Sequence, residues 1–414
     1  YWRWSAIAAV LMLVLAACDM GGDTGSPGTG NGGDADAACE ADEFGCVEVA
    51  EGDPILIGTA LVITGENETL GLDSQYGVEV AADMAGDIAG HPIEFNHQDD
   101  GCNTEGGTTA GQALVSDEDL VAVIGTSCSS AGIPLAQIMS GEGILTVSSS
   151  NTAPSLTHAD THEPFYARTA HNDEVQGLAM AQFVCEVLGL ETAATIHDGS
   201  AYADQLAAVF RSSFESECGG TITADEAVSV GQTDFVPLLE SIGTGSPELL
   251  YFPIFVGEGA LISNQAREAT GLEDTILAGA DGILTPAFLT AAGEGAEGMY
   301  LSGPDLNFGG DFYADEFLPA YTDFSGEPEP ISVFHAHAFD AFNMIKMAIE
   351  EVAITEDGTT YIPRTALRDA FFGITDYAGI TGTLTCNETG DCADARISVS
   401  EVIDGAFVAI WPED

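Results

Sequence analysis

Between Asp99 and Thr157 stretches of helical periodicity alternate with short, largely apolar runs, and hydroxyl-bearing residues follow each run. Leu120–Gly125 and Ile144–Val147 are the apolar runs, and Ala110–Ser116 and Ala131–Gly141 are the helical stretches. A strand that does not alternate with polar residues is buried on both faces, as in a parallel sheet covered by helices. The pattern therefore predicts an open, doubly wound α/β sheet. In such sheets ligands bind outside the carboxyl ends of the strands. The residues at those ends are Cys128-Ser129-Ser130 and Ser148-Ser149-Ser150-Asn151-Thr152, followed by Pro154 and Thr157. Hydroxyls at a strand end, next to the free N–H groups of a helix start, suit an anion such as a carboxylate.

The alternation extends in both directions. Ile55–Ile63 reads as a strand, Leu72–Ile88 as a helix and Pro92–His97 as a strand. A second series starts near Asp173, with helix to Leu188, strand Thr192–His197, helix Tyr202–Glu217 and strand Thr221–Val228. It continues through helix Phe235–Ile242, strand Leu249–Phe252, helix Glu258–Thr270 and strand Ile276–Ala278. The 414 residues suffice for two domains, and two series predict two Rossmann-like lobes. Beyond Gly303 the clearest helices are Ile331–Val352 and Pro363–Phe372, and Gly382–Ile410 reads as strands around a Cys386–Cys392 turn.

Charge narrows the partners. The chain has 67 acidic residues against 8 basic ones, and Lys346 is its one lysine. Nucleic acid and anionic headgroups need Lys/Arg clusters, so neither is an expected partner. An acidic surface of this kind repels itself and is relieved by screening, which points to a saline habitat.

The N-terminus reads as a targeting segment. Arg3 is the positive region, Ala6–Val14 the apolar region, and Leu15-Ala16-Ala17-Cys18 resembles a bacterial lipobox. Residues 1–17 are thus expected to be a lipoprotein signal peptide, with Cys18 the lipidated residue and the lipid the sole membrane contact. Residues 18–53, rich in Gly and Asp, are expected to form a flexible tether. An exported chain favours disulfides, and setting Cys18 apart from the nine cysteines leaves eight. Pairing by proximity gives Cys39–Cys46, Cys102–Cys128, Cys185–Cys218 and Cys386–Cys392. Eight cysteines allow 105 connectivities, and spacing alone does not choose among them.

Catalysis finds little support. His335 and His337 are two apart in a helical stretch and do not share a face. His197-Asp198 lacks a nucleophile elbow, and no phosphate-binding G-x-G-x-x-G follows a strand. There is no C-x-x-C and no metal-ligand spacing, so neither a metal nor a cofactor is expected.

Several segments together carry a specific resemblance. They are Asp99-Asp100-Gly101-Cys102, Val123-Ile124-Gly125 leading to Cys128-Ser129-Ser130, Glu142-Gly143-Ile144-Leu145 and Thr152-Ala153-Pro154-Ser155-Leu156-Thr157. Arg168-Thr169-Ala170, Ile196-His197-Asp198 leading to Tyr202, and Glu297-Gly298-Met299 follow in order. In sequence and spacing the chain resembles the type 1 periplasmic binding proteins, in the leucine/isoleucine/valine-binding branch that serves ABC transporters. The resemblance implies three chain exchanges between lobes: lobe 1 from 54–172 plus 301–380, lobe 2 from 173–300 plus 381–414. It implies a small amino acid, branched-chain or other aliphatic, as ligand, held in the cleft and delivered to permease subunits. Ser129 and Thr152 would hold its carboxylate, and Asp281 and Tyr202 its ammonium. Leu70 and Phe255 would line the side-chain pocket, and Cys128 and Ser150 complete the ligand-facing set. A ligand-sensing receptor module of the same fold, or capture of amides or urea, are the competing readings.

Overall fold

The computed structural model describes residues 34–412. The signal peptide and Cys18 lie outside the described residues. The chain opens with α1 (Asp34–Ala41) and β1 (Cys46–Val49), and continues through β2 (Ile55–Leu61), α2 (Glu68–Ala85), β3 (Ile93–Asp99) and α3 (Thr104–Leu114). Then come β4 (Leu120–Gly125), α4 (Ser129–Gly141), β5 (Leu145–Ser148) and β6 (Tyr166–Arg168). Strands β2 to β6 form one sheet in the order β3-β2-β4-β5-β6, with every pairing parallel. Strand β4, Leu-Val-Ala-Val-Ile-Gly, is buried at all six positions, as its unbroken apolar run requires.

The second lobe begins with α5 (Asp173–Gln182), β7 (Thr192–His197), α6 (Ala201–Ser216), β8 (Thr221–Ala227) and α7 (Val236–Gly243). It continues with β9 (Leu249–Tyr251), α8 (Val256–Ala266), β10 (Ile276–Gly279), α9 (Pro286–Ala292) and β11 (Tyr300–Pro304). The chain then returns to the first lobe for α10 (Leu318–Ser325), α11 (His335–Val352), β12 (Ile354–Glu356), β13 (Thr359–Pro363) and α12 (Arg364–Phe372). After the hairpin β14 (Tyr377–Gly379) and β15 (Gly382–Leu384), it ends in the second lobe with β16 (Ile397–Ile403) and β17 (Ala406–Trp411). The second sheet runs β17-β16-β11-β10-β9-β7-β8, parallel from β11 to β8, with β16 and β17 antiparallel at one side. This is the two-lobed α/β architecture that the alternation implied.

The boundaries differ from the expected ones. Tyr300 and Leu301 pair in parallel with Ala278 and Gly279, so β11 completes the second lobe's sheet. The stretch through Cys392 stays with the first lobe: Asp340 accepts the N–H groups of Ile380 and Thr381, and Cys392 N–H bonds to Arg168 O. The second and third changeovers therefore fall at 305–307 and 393–396, beside the first at 169–172.

The expected tether is also partly folded. Strand β1 pairs with β13, Cys39 and Cys46 are disulfide-bonded, and the Phe44 ring packs edge-on against Phe165 at 5.1 Å. Asp42 caps α12, accepting from Thr365 N (2.8 Å), Thr365 Oγ1 (2.7 Å) and Ala366 N (3.2 Å). A composition rich in Gly and Asp hid this, because four apolar or aromatic residues suffice to dock so short a segment. Where α2 crosses α11, a Cβ on Gly77 would stand 2.1 Å from His335 O, so glycine permits the approach. All four disulfides join the cysteines that proximity paired.

Candidate functional site

The carboxyl ends of β4 and β5 face the carboxyl ends of β7, β9 and β10 across the cleft, and the lobes touch there. Ser130 Oγ accepts Ala201 N–H at 2.9 Å. Ser155 N–H donates to Gln205 Oε1, and Gln205 Nε2 donates back to Ser155 Oγ, both at 2.9 Å. Glu66 reaches Gly257 at the start of α8, where a Cβ would stand 2.4 Å from Oε2.

On the first lobe the loop after β4 is fixed from three sides through Ser127. Its N–H donates to Asp100 Oδ2 (2.6 Å), its Oγ accepts Val62 N–H (2.9 Å), and its carbonyl accepts Ser150 Oγ (2.6 Å). Asp100 also accepts Cys102 N–H at 2.7 Å, and the Cys102–Cys128 disulfide closes the same loop. Burial pushes the Asp100 carboxyl up to about 7, against the pull of these N–H groups. Ser129 then begins α4, and its Oγ accepts Ala153 N–H at 3.2 Å, which leaves its own proton for another acceptor. The Thr152 carbonyl accepts Asp173 N–H at 2.9 Å, while Thr152 Oγ1 is buried beside the Asp173 carboxyl. Ser150 stands differently: its hydroxyl is committed to Ser127 O, so it braces the loop.

On the second lobe Asp281 follows β10, 4% exposed. Its Oδ1 accepts Tyr202 OH at 2.9 Å and Gln176 Nε2 at 2.7 Å, and Gly282 N–H donates to the same Tyr202 oxygen at 3.1 Å. Burial and the Asp281 charge push the Tyr202 hydroxyl well above its ordinary range, so it stays protonated and donates. Sequence reasoning missed Asp173. Its carboxyl is fully buried, with the Thr152 hydroxyl of the facing lobe beside it. Burial pushes this carboxyl well up, and the nearby Asp281 charge adds to the rise. An acid at the first position of a helix reads as a dipole partner, which concealed its place beside Asp281. Gln176, one turn further on, was missed too. Its Oε1 receives the Nε2–H of His171, whose burial lowers its basicity and keeps the ring neutral.

The apolar candidates meet in one cluster. Leu70, Val62 and Cys128 of the first lobe pack with Tyr202 and Val256 of the second, and Phe255 leans on it with its ring 5.3 Å from that of Tyr202. The structure thus brings Ser129, Thr152, Cys128, Leu70, Tyr202, Asp281 and Phe255 to one interface. Among the described residues no group of three or more His, Cys, Asp or Glu could hold a metal ion. None of the described helices is long and apolar enough to cross a membrane.

Two α/β lobes joined by three crossings, with polar residues of opposite character facing each other between them, define a cleft-type binding protein. The periplasmic binding protein family model matches residues 54–406, and the chain belongs to that family. It is 27% identical over 360 residues to Leu/Ile/Val-binding protein homolog 3 of Brucella melitensis, spanning 86% of this chain and 93% of the relative. It is also 27% identical over 352 residues to the leucine-, isoleucine-, valine-, threonine- and alanine-binding protein of Pseudomonas aeruginosa, spanning 84% and 90%. The branched-chain amino acid transporter substrate-binding protein LivJ of Streptococcus pneumoniae, solved with isoleucine, superposes with a TM-score of 0.74 at 25% identity, covering 86% of this chain and 98% of that one. The leucine-binding protein LivK of Thermotoga maritima shares the fold, with a TM-score of 0.77 at 24% identity over 86% and 97%.

Proposed function

We propose that this protein captures a small aliphatic amino acid between its lobes and delivers it to the permease of an ABC transporter, without chemical change. One observation carries the reading: hydroxyl donors on one wall face buried carboxylates on the other. A zwitterion satisfies both. Its carboxylate would take the protons of Ser129, at the start of α4, where the helix end also favours an anion, and of Thr152 in the loop after β5. Its ammonium would neutralise Asp281, which Tyr202 holds in place, with the Asp173 carboxyl beside it as a further acceptor. The side chain would sit among Leu70, Val62, the Cys102–Cys128 bridge and Phe255, a lining that offers an aliphatic group no polar partner. The related amino acid-binding proteins support the ligand class. The lipobox supports anchoring through Cys18 at the outer face of the membrane.

The test is calorimetry and thermal melting of the folded body with each common amino acid, and with acetamide and urea. One ligand per chain is expected, with about 2.7 kcal/mol of added stability at a hundredfold excess over Kd. No heat and no melting shift with any amino acid would refute the proposal.

A further inference from the structure

Eight basic residues serve this whole chain, and one of them, Arg168, is completely buried. It stands at the end of β6, directly behind the loop that carries Thr152. Its Nη1 donates to the carbonyls of Asn151 (3.1 Å) and Ala153 (2.9 Å), the two that bracket Thr152. Its Nη2 donates to Thr157 Oγ1 at 2.6 Å, and its Nε to Asp391. Asp391 accepts in addition from Thr157 Oγ1 (3.0 Å) and from Asn172 Nδ2 (3.2 Å), the residue that caps α5 ahead of Asp173.

The peptide plane turns these contacts into a statement about Thr152. A trans peptide sets N–H opposite the preceding C=O. Holding Asn151 O toward the guanidinium therefore turns Thr152 N–H the other way. The Thr152 carbonyl is tied to Asp173 N–H and the Ala153 N–H to Ser129 Oγ. What the segment has left to offer is Thr152 N–H and Oγ1, the latter buried with only the Asp173 carboxyl beside it. Five N–H donors in a rigid fork can grip two carbonyls, a hydroxyl and a carboxylate together, and an ammonium cannot.

Resting on the function proposed above, we infer that Arg168, oriented by Asp391, is a positioning residue for the ligand carboxylate. It shapes the Asn151–Ala153 segment into a donor pair and sets a buried positive charge behind the anion. Asp391 sits between the disulfide-bonded Cys386 and Cys392, so the turn at the third lobe crossing orients the carboxylate subsite as well.

The test compares ligands that differ only in the carboxylate. Wild type, Arg168→Lys and Thr157→Val are titrated with L-alanine, L-valine, L-leucine and L-isoleucine, and with the corresponding amino acid amides. The amides keep the ammonium and side chain. For R168K the acids are expected to lose tenfold or more in affinity and the amides at most threefold, so the acid-to-amide ratio shrinks. For T157V, which removes one grip and preserves shape, the acids are expected to lose two- to fivefold with the amides unchanged. Equal losses for acids and amides in both variants, or unchanged acid affinity, would overturn the inference; should R168K fail to fold, T157V decides alone. A wild type that binds none of the probes would instead overturn the function proposed above, and this inference with it.

Discussion

The two walls of the cleft are built on different principles. The first lobe presents neutral donors on loops whose backbone is already tied down: Ser127 alone connects the ends of β2, β3, β4 and β5. The second lobe presents charge. Asp281 accepts two hydrogen bonds from its own lobe, from Tyr202 and Gln176, whereas Asp173 beside it has only the Thr152 hydroxyl of the facing lobe. Neutral donors can be arranged in advance at little cost, because an unpaired hydroxyl gives up far less on burial than an ion does. Burial and the Asp281 charge keep a proton on Asp173 until a cation arrives. The first wall is therefore shaped before the ligand binds, and the second gains most from its arrival.

Breaking the rigid wall should have the largest effect. Replacing Cys102 and Cys128 together by serine opens a loop closed at a separation of 26 residues, with a loss of roughly 3–4 kcal/mol in the chain-entropy model. The melting temperature of the ligand-free protein should fall accordingly. An unchanged melting temperature in calorimetric scans would show that Ser127 and Asp100 hold the loop without the bridge.

The charged wall should answer differently. Asp281→Asn keeps the shape and deletes the charge; a lost charged hydrogen bond is worth roughly 1.5–3 kcal/mol, so affinity should drop ten- to a hundredfold by calorimetry. Asp173→Asn should also weaken binding but raise the melting temperature of the ligand-free protein at neutral pH, because the carboxyl is ionised in the unfolded chain and has to take up a proton to be buried beside Asp281, a cost that the amide does not carry. If both variants bind amino acids at wild-type affinity, the acids only brace the fold and the contrast between walls disappears.

A smaller effect sharpens the same contrast by pH. Asp100 titrates at about 7 in the folded protein and near 4 when unfolded. Across pH 4 to 7 the folded state holds a proton that the unfolded state has lost. Through this group stability is therefore greatest at the acid end and declines as pH rises, by at most about 1.4 kcal/mol per unit. Asp100→Asn should flatten that part of the melting-temperature profile, and an unaltered slope would reassign it to Asp173 or another buried acid.

The strand ends and their hydroxyls were legible because the central parallel strands, β4 above all, are largely apolar and the helices keep their period. Ser129, Thr152, Tyr202 and Asp281 all sit at such ends or just beyond them, where pattern and family resemblance agree. Asp173, Gln176 and Arg168 were not legible as parts of a site. Each has an ordinary local explanation, and its role comes from neighbours in other elements: Asp281, His171, and the carbonyls of Asn151 and Ala153. The lobe changeovers were misplaced for a related reason. Whether Tyr300–Pro304 or the Cys386–Cys392 turn joins one sheet or the other depends on pairing partners distant in sequence. Ser150 shows the converse, a residue whose motif was recognised but whose hydroxyl bonds within the loop.

The docked segment from α1 to β1 has a mechanical consequence. It is stapled by Cys39–Cys46 and paired to β13, so any pull from the preceding chain lands on the first lobe. With Cys18 as the proposed anchor, the sixteen-residue step to Asp34 spans at most roughly 55 Å when fully drawn out. The first lobe would then be the tethered one, and opening or closing would be, seen from the anchor, a swing of the second lobe. A permease facing this protein would then read occupancy as the position of one moving body against a fixed one.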